Sequence, residues 1–269
     1  MAGCIFFNYY FLLFTMAKKV RGFGKGIFFT LIVLITVSIF VYYLKERFYK
    51  PDFVLYKEFG IYIPVNYKIH GIDVSRHQQE ISWDNVMQMK VNNVAIGFAF
   101  MKATEGTDLV DAQYRNNMRN ALAAGVPRGA YHFFIGSKSG KLQAAHFVET
   151  VYLKKGDLPP VLDVEQANGA SVFDVQQRVA DWLNLVEKRY KIKPIIYSNI
   201  GFYNTFLAGR FDDYPLWVAH YLEKEKPRIQ RSWLFWQHNE TGHVTGIRTN
   251  VDFNVFNGDS AAFKNLLLK

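Results

Sequence analysis

The chain has 269 residues, half of them hydrophobic and 17% aromatic, with 32 Lys and Arg against 23 Asp and Glu for a formal charge of +9. That length suits one large domain or two small ones with a sizeable core. Residues 1–50 hold seven basic residues and one acid, a net of +6, which leaves 25 and 22, a net of +3, for the other 219. The excess charge therefore flanks an apolar segment and reads as a topology signal, so nucleic acid is not the expected partner. Cys4 is the only cysteine, which excludes an internal disulfide and a cysteine-based metal site.

Residues 1–25 read as a cytoplasmic segment, with Lys18, Lys19, Arg21 and Lys25 ahead of the apolar run. GIFFTLIVLITVSIFVYYL, residues 26–44, has no charge in 19 residues. At about 1.5 Å per residue it crosses a hydrocarbon core of about 30 Å. Three cations follow it against four before, which places the N-terminus inside and the rest of the chain on the extracytoplasmic side. A cleaved signal peptide is the rival reading, but bulky residues and charges occupy the place where a small-residue cleavage site belongs. The shorter apolar run at 4–16 fits a start at Met16, since the ten residues from there already form a basic leader. Residues 45–66 read as a juxtamembrane connector.

From residue 67 onward, short apolar runs alternate with helical patterns. KIHGIDVS (68–75), VAIGFAFMKA (94–103), RGAYHFF (128–134) and PPVLDVE (159–165) read as strands, as do PIIYSN, PLWVAHY, SWLFWQH and NVDFNVF. Helical patterns start near Ser82 and cover 111–127, 141–153 and 171–190, the last with Val172, Val175, Val179, Trp182, Leu183 and Val186 on one face. Eight strands alternating with helices imply a parallel sheet closed into an irregular β/α barrel, with helices scarce in the last third.

Chemistry on such barrels sits at the C-terminal ends of the strands. Asp73, Lys102, Tyr131 with His132, Asp163 with Glu165, Tyr197, His220 and Gln237 all fall near strand ends, and Asp252 lies in the last strand. Strand side chains alternate faces, so Asp163 and Glu165 point the same way, roughly 6–7 Å apart. Four converging carboxylates repel one another unless chemistry or a structural network of Lys102, Arg76 and tyrosines uses them. Two active readings remain open from the residues alone. One is a metal site with His70, His132 or His220, for which no tight ligand spacing appears. The other is glycoside hydrolysis, in which crowding keeps one acid protonated. Tyr131, Tyr197, Trp217 and Trp236 offer flat faces to sugar rings.

HGIDVSRHQQEISW (70–83), FMKATEGTDLVD (100–111), AGVPRGAYHFF (124–134), PPVLDVE, PIIYSN, LWVAHY and WQHNETGHVTGIRTNVDFNVFNG (236–258) resemble, in order, the motifs of the glycoside hydrolase family 25 muramidases, the Chalaropsis-type lysozymes. The resemblance spans residues 70–258 and implies a catalytic barrel over residues 67–269. It also implies cleavage of the β-1,4 bond between N-acetylmuramic acid and N-acetylglucosamine in peptidoglycan, with neither a metal nor an organic cofactor. Glu165 then corresponds to the proton donor, Asp163 to the residue that orients or stabilises the reacting sugar, and Asp73 and Asp252 to the rest of the acidic groove. Tyr131 lies near the reaction centre in such proteins, and Lys102, Tyr197, Trp217 and Gln237 are the other candidates for holding the glycan. Arg76 and His77 depart from the pattern, as does His238 where an aromatic residue is expected. A glycan-binding barrel without catalysis and a metal-dependent carbohydrate deacetylase are the alternatives.

Overall fold

The computed structural model describes residues 25–48, 52–221, 223 and 225–269. The readings at residues 4–16, Met16 and the basic residues before Lys25 lie outside them. Two units are separate, residues 1–51 and 52–269. In the first, helix α1 (Lys25–Phe48) contains Ile27–Leu44, a stretch of mean hydropathy 2.5 that is long and apolar enough to cross a membrane. Between Ile27 and Leu44 none of its side chains is buried, and most are exposed.

The second unit is the barrel. Its eight strands are β3 (His70–Val74), β5 (Val94–Glu105), β7 (Arg128–Phe133), β8 (Val161–Asp163), β9 (Ile195–Asn199), β10 (Leu216–Ala219), β11 (Phe235–Gly242) and β12 (Val251–Phe256). The numbering includes a preceding hairpin, β1 (Phe53–Tyr56) and β2 (Ile61–Pro64), and two short strands on β5, β4 (Lys90–Val91) and β6 (Leu109–Val110). From β3 through β5 to β11 every neighbouring pair is parallel. The expected all-parallel sheet is corrected at closure, where β12 runs antiparallel to both β11 and β3.

Two apolar layers follow from strand alternation. Inward-facing Phe98, Phe100, Val161, Ile195, Trp217, Phe235 and Phe256 fill the barrel. Phe100 stacks on Trp217 with ring centroids 4.8 Å apart. The facing strands make room for these rings with glycine: a Cβ at Gly71 or Gly129 would lie 2.5 Å from the ring of Phe98 or Phe100. Outward-facing residues pack against α2 (Trp83–Gln88), α3 (Tyr114–Ala123), α4 (Gly140–Thr150) and α5 (Val172–Tyr190). In α5, Ser171 caps the N-terminus by accepting from the Asp174 N–H, and Lys191 ends the helix in the left-handed conformation. Its Val175, Val179, Trp182, Leu183 and Val186 are fully buried, each contributing roughly 1.5–3 kcal/mol. A last helix, α6 (Ser260–Leu266), closes the base with Phe263.

Among the described residues no helix packs over the outer face of β11 and β12. That place belongs to the β1–β2 hairpin, which lies within residues 45–66, the segment read as a juxtamembrane connector. Phe53 packs edge-on against Trp236 and Phe59 against Phe253, and the Phe59 carbonyl accepts from the His243 N–H. Trp236, expected at the mouth, is therefore buried under this hairpin.

His238 lies in the same aromatic layer, edge-on to Phe53, Trp236 and Phe253, with both ring nitrogens unpartnered. Burial pushes its pKa down to about 3 and that of His70 down to about 4. An unfolded histidine titrates near 6.5, so between there and pH 3–4 the unfolded chain binds protons that the fold refuses, and stability falls with pH. Replacing His238 with Phe is expected to stabilise the protein by about 1–2 kcal/mol at pH 7, because two buried polar atoms disappear. The gain should be larger at pH 4.5. Thermal unfolding of both forms at the two pH values checks this, and equal midpoints would count against it.

Candidate functional site

A cavity of about 450 Å³ opens at the end of the barrel where the parallel strands finish. Asp73, Lys102, Tyr131, Asp163, Glu165, Tyr197, Trp217, Gln237 and Asp252 all line it, joined by Tyr221 and Glu240. Strand register brings them together. Lys102 pairs with Tyr131, Asp163 with Tyr197, Tyr197 with Trp217, and Asp252 with Asp73. Asp252 is the second residue of its strand, so the expectation of a C-terminal position fails. Because β12 runs antiparallel, its beginning meets the end of β3.

The acids do not share one environment. Asp73 is held by two amides: its Oδ2 accepts from Gln237 Nε2 at 2.8 Å and Asn254 Nδ2 at 2.7 Å. Each amide is itself oriented. Gln237 Oε1 accepts from the Tyr197 hydroxyl at 2.7 Å and from the Tyr221 hydroxyl, and Asn254 Oδ1 accepts from Trp217 Nε1 at 2.8 Å. Trp217, expected to stack on sugar, is only 2% exposed and serves as the floor that sets Asn254.

Burial raises the Asp73 carboxyl to about 6, opposed by the amide hydrogen bonds. Asp252 goes higher, to about 9, through burial and then the charges of Asp73 and Glu240. The two share a hydrogen bond that favours the charged form of Asp73 and the protonated form of Asp252. Burial and then Glu165 push Asp163 well above the carboxylate range, and its Oδ1 has no partner. Glu165, two residues on and partly open to solvent, is raised by burial and by Asp73, against a hydrogen bond to Asn199 and the charge of Lys102. Lys102 pairs with Glu105 at 2.6 Å and lies 4.4 Å from the centre of the Phe133 ring. At neutral pH the mouth thus holds a fixed carboxylate at Asp73 beside a protonated Asp252, with Asp163 and Glu165 both raised, a division of protons suited to acid–base chemistry.

The histidines considered as ligands are elsewhere. His132 alternates outward from Tyr131, bonded to Thr104 at 2.7 Å and Gln143 at 3.2 Å and stacked on Trp182. His70 is buried at the start of β3, and His220 faces Glu223 at 3.8 Å. Among the described residues no three His, Cys, Asp or Glu side chains come together to hold a metal. Tyr221, Asn254, Asn199 and Glu240 were not singled out from sequence. Asn254 and Asn199 carried a signal, since each follows a site residue by two on the same strand and so shares its face.

A family model described as "Glycosyl hydrolases family 25" matches residues 72–247. The uncharacterised protein YegX of Escherichia coli O6:H1 is 50% identical over 202 residues, covering 75% of this chain and 74% of its own. Lysozyme M1 of Streptomyces globisporus is 36% identical over 208 residues, covering 72% and 69%. The structure of a family 25 glycosyl hydrolase from Bacillus anthracis superposes with a TM-score of 0.70 at 32% identity, covering 77% of this chain and 96% of that one.

Because its folded pKa exceeds the unfolded value, Asp252 costs stability as pH rises from about 4 to about 9, where the unfolded carboxyl has already released its proton. Asp252→Asn should therefore raise the unfolding free energy at pH 8 by on the order of 1–2 kcal/mol and leave it nearly unchanged at pH 3.5. Denaturant titration at the two pH values measures this, and a loss of stability at pH 8 would refute the assignment of the proton to Asp252.

Proposed function

The chain belongs to glycosyl hydrolase family 25, and from that membership and the proton distribution at the mouth we propose that it is a peptidoglycan muramidase with Glu165 as its general acid. The substrate is the glycan strand, cut at the β-1,4 bond between N-acetylmuramic acid and N-acetylglucosamine. The observation that carries the residue roles is the pairing of Asp163 and Glu165 on the end of β8 opposite the hydrogen-bonded pair Asp73 and Asp252. Glu165 combines a raised pKa with access to solvent, which a proton donor to an incoming sugar requires; Asp252 shares both features, but its proton is engaged in the hydrogen bond with Asp73.

In this reading Glu165 gives its proton to the glycosidic oxygen as the bond from C1 to that oxygen breaks. The acetamido oxygen of the muramic acid closes on C1, a substrate-assisted variant of the two-carboxylate scheme. Asp163 orients the acetamido group, and the fixed Asp73 carboxylate supplies the negative potential that the developing sugar cation needs. Water then opens the ring that formed, giving its proton to Glu165 and its hydroxyl to C1. Tyr131, whose hydroxyl is kept neutral by burial and the surrounding acids, is positioned to donate to the reacting sugar.

Residues 27–44 support a further part of the reading: α1 is an uncleaved membrane anchor, with the barrel on the extracytoplasmic side. Its length, its hydropathy and the balance of flanking cations support this. Retention in the membrane pellet after alkaline carbonate extraction is the expected result, whereas a mature chain lacking residues 27–44 would mark a signal peptide.

Peptidoglycan digestion with mass spectrometry of the products tests the activity. The wild type should release fragments with muramic acid at the new reducing end, unaffected by chelator. Glu165→Gln should lower kcat/KM by about 10²–10⁴. The wild-type rate should fall on the alkaline side as the raised Glu165 loses its proton. Intact glycan with both forms, the protein still pelleting on the wall, would leave a binding module. Loss of wild-type activity in chelator would point to a metal-dependent enzyme instead.

A further inference from the structure

On the outer flank of the barrel, between α3 and the end of α4, lies a second cleft of about 380 Å³. Arg115, Arg119, Arg128 and Lys154 line it, and no acidic residue does. Arg128 is buried at the start of β7, and its one ion pair joins Nη2 to Asp157 Oδ1 at 3.0 Å. Its Nε and Nη1 have no hydrogen-bond partner. A buried guanidinium with donors left over, in a cleft also lined by Arg115, Lys154 and an Arg119 that bonds Asn116 and Asn120, suits an oxyanion that accepts several hydrogen bonds. Apart from Thr150, whose hydroxyl donates to the His146 carbonyl, the rest of the lining is apolar or aromatic, with Met118, Leu122 (54% exposed) and Tyr152 (68% exposed). The fitting ligand therefore joins a phosphate to an apolar body.

Position indicates where such a ligand comes from. Arg128 opens β7, so the cleft lies toward the end of the barrel remote from the catalytic mouth. The chain enters the barrel unit near that end, since the Asp52 carbonyl accepts from the Val65 N–H, and Tyr67 packs on Trp233, just before β11 begins. Eight residue steps separate Leu44, the last residue of the apolar stretch, from Asp52. Four of them, to Phe48, are helical and rise about 6 Å, and the other four add at most about 14 Å.

We infer that the cleft formed by Arg115, Arg119, Arg128 and Lys154 binds the phosphate of an anionic phospholipid, with Leu122 and Tyr152 against its apolar part. This rests on the membrane-anchor reading of α1. Within the barrel unit the site lies toward the end remote from the mouth, so a lipid bound there leaves the mouth free for glycan.

The test uses the full chain in non-ionic detergent, wild type and Arg115→Gln/Lys154→Gln, titrated with short-chain phosphatidylglycerol, short-chain phosphatidylcholine and glycerol 3-phosphate. Bound molecules are counted by native mass spectrometry. Wild type is expected to take phosphatidylglycerol in preference to phosphatidylcholine. The double variant should bind it about thirtyfold more weakly, since each basic side chain near an anionic lipid surface contributes roughly a factor of five. Glycan-cleaving activity on soluble wall fragments should be unchanged. Equal phosphatidylglycerol binding by the two forms, or no preference over phosphatidylcholine, overturns the inference. Glycerol 3-phosphate binding as tightly as the lipid overturns its lipid part and assigns the cleft to a soluble phosphate ester. Carbonate extraction of both forms from membranes separates these outcomes from failure of the anchor, because the two substitutions leave α1 intact.

Discussion

The antiparallel strand that closes the barrel sets the chemistry of its mouth. Had β12 run parallel to its neighbours, Asp252 would sit near the base, where Phe98, Phe235 and Phe256 fill the interior. Running the other way, it puts Asp252 directly against Asp73. Two buried carboxyls at that separation cannot both ionise, so one proton stays between them. Asn254, two residues further along the same face, then reaches Asp73 from the side. One reversal of strand direction thus supplies both the second acid and one of the two amides that hold the first.

Beneath this pair the barrel is filled with aromatic rings, and that filling explains why the acids cannot relax. Trp217 rests on Phe100 below and donates to Asn254 beside it. Tyr197 packs against Trp217 at 4.8 Å and donates to Gln237. The apolar core therefore fixes the polar groups that fix Asp73, and a cavity made in the core would be felt as a loosened carboxylate. The same rings exclude water from below, which raises the pKa of both Asp163 and Asp252. Folding accepts the destabilisation of these buried acids because the chemistry needs their proton states, as is common at active sites.

Much of this was legible in the chain. Period-two alternation placed Asp163 and Glu165 on one face, and the amphipathic stripe of residues 171–190 matched α5 closely. Strand candidates at 68–75, 128–134 and 159–165 each contain an observed strand, and the candidate at 94–103 lies within β5, which runs two residues further. Two things were not legible, for related reasons. Strand direction leaves no local mark, so the antiparallel course of β12 and the true placement of Asp252 could not be read from residues 250–256. The partner of an exposed strand face is equally non-local. β11 is followed directly by β12, the helix after β12 closes the base, and nothing near these strands indicated that residues 53–64, nearly 200 positions earlier, would cover them. Trp236 was assigned to the mouth for that reason. In a strand its neighbour Gln237 must face the opposite way, and Gln237 is the residue that reaches Asp73.

His238 shows how far a sequence departure can be absorbed without touching the site. It stands where an aromatic side chain was expected and packs as one, edge-on to three rings. Its ring faces the hairpin layer while Gln237 faces the mouth, so the two layers on either side of β11 are chemically independent. Burial keeps the imidazole neutral near pH 7, and a neutral imidazole differs from a phenyl ring chiefly by two unsatisfied nitrogens. The cost of those atoms falls on stability alone. A protein whose acids already weigh against folding at high pH then carries a second burden at low pH, which confines its greatest stability to the interval between the two.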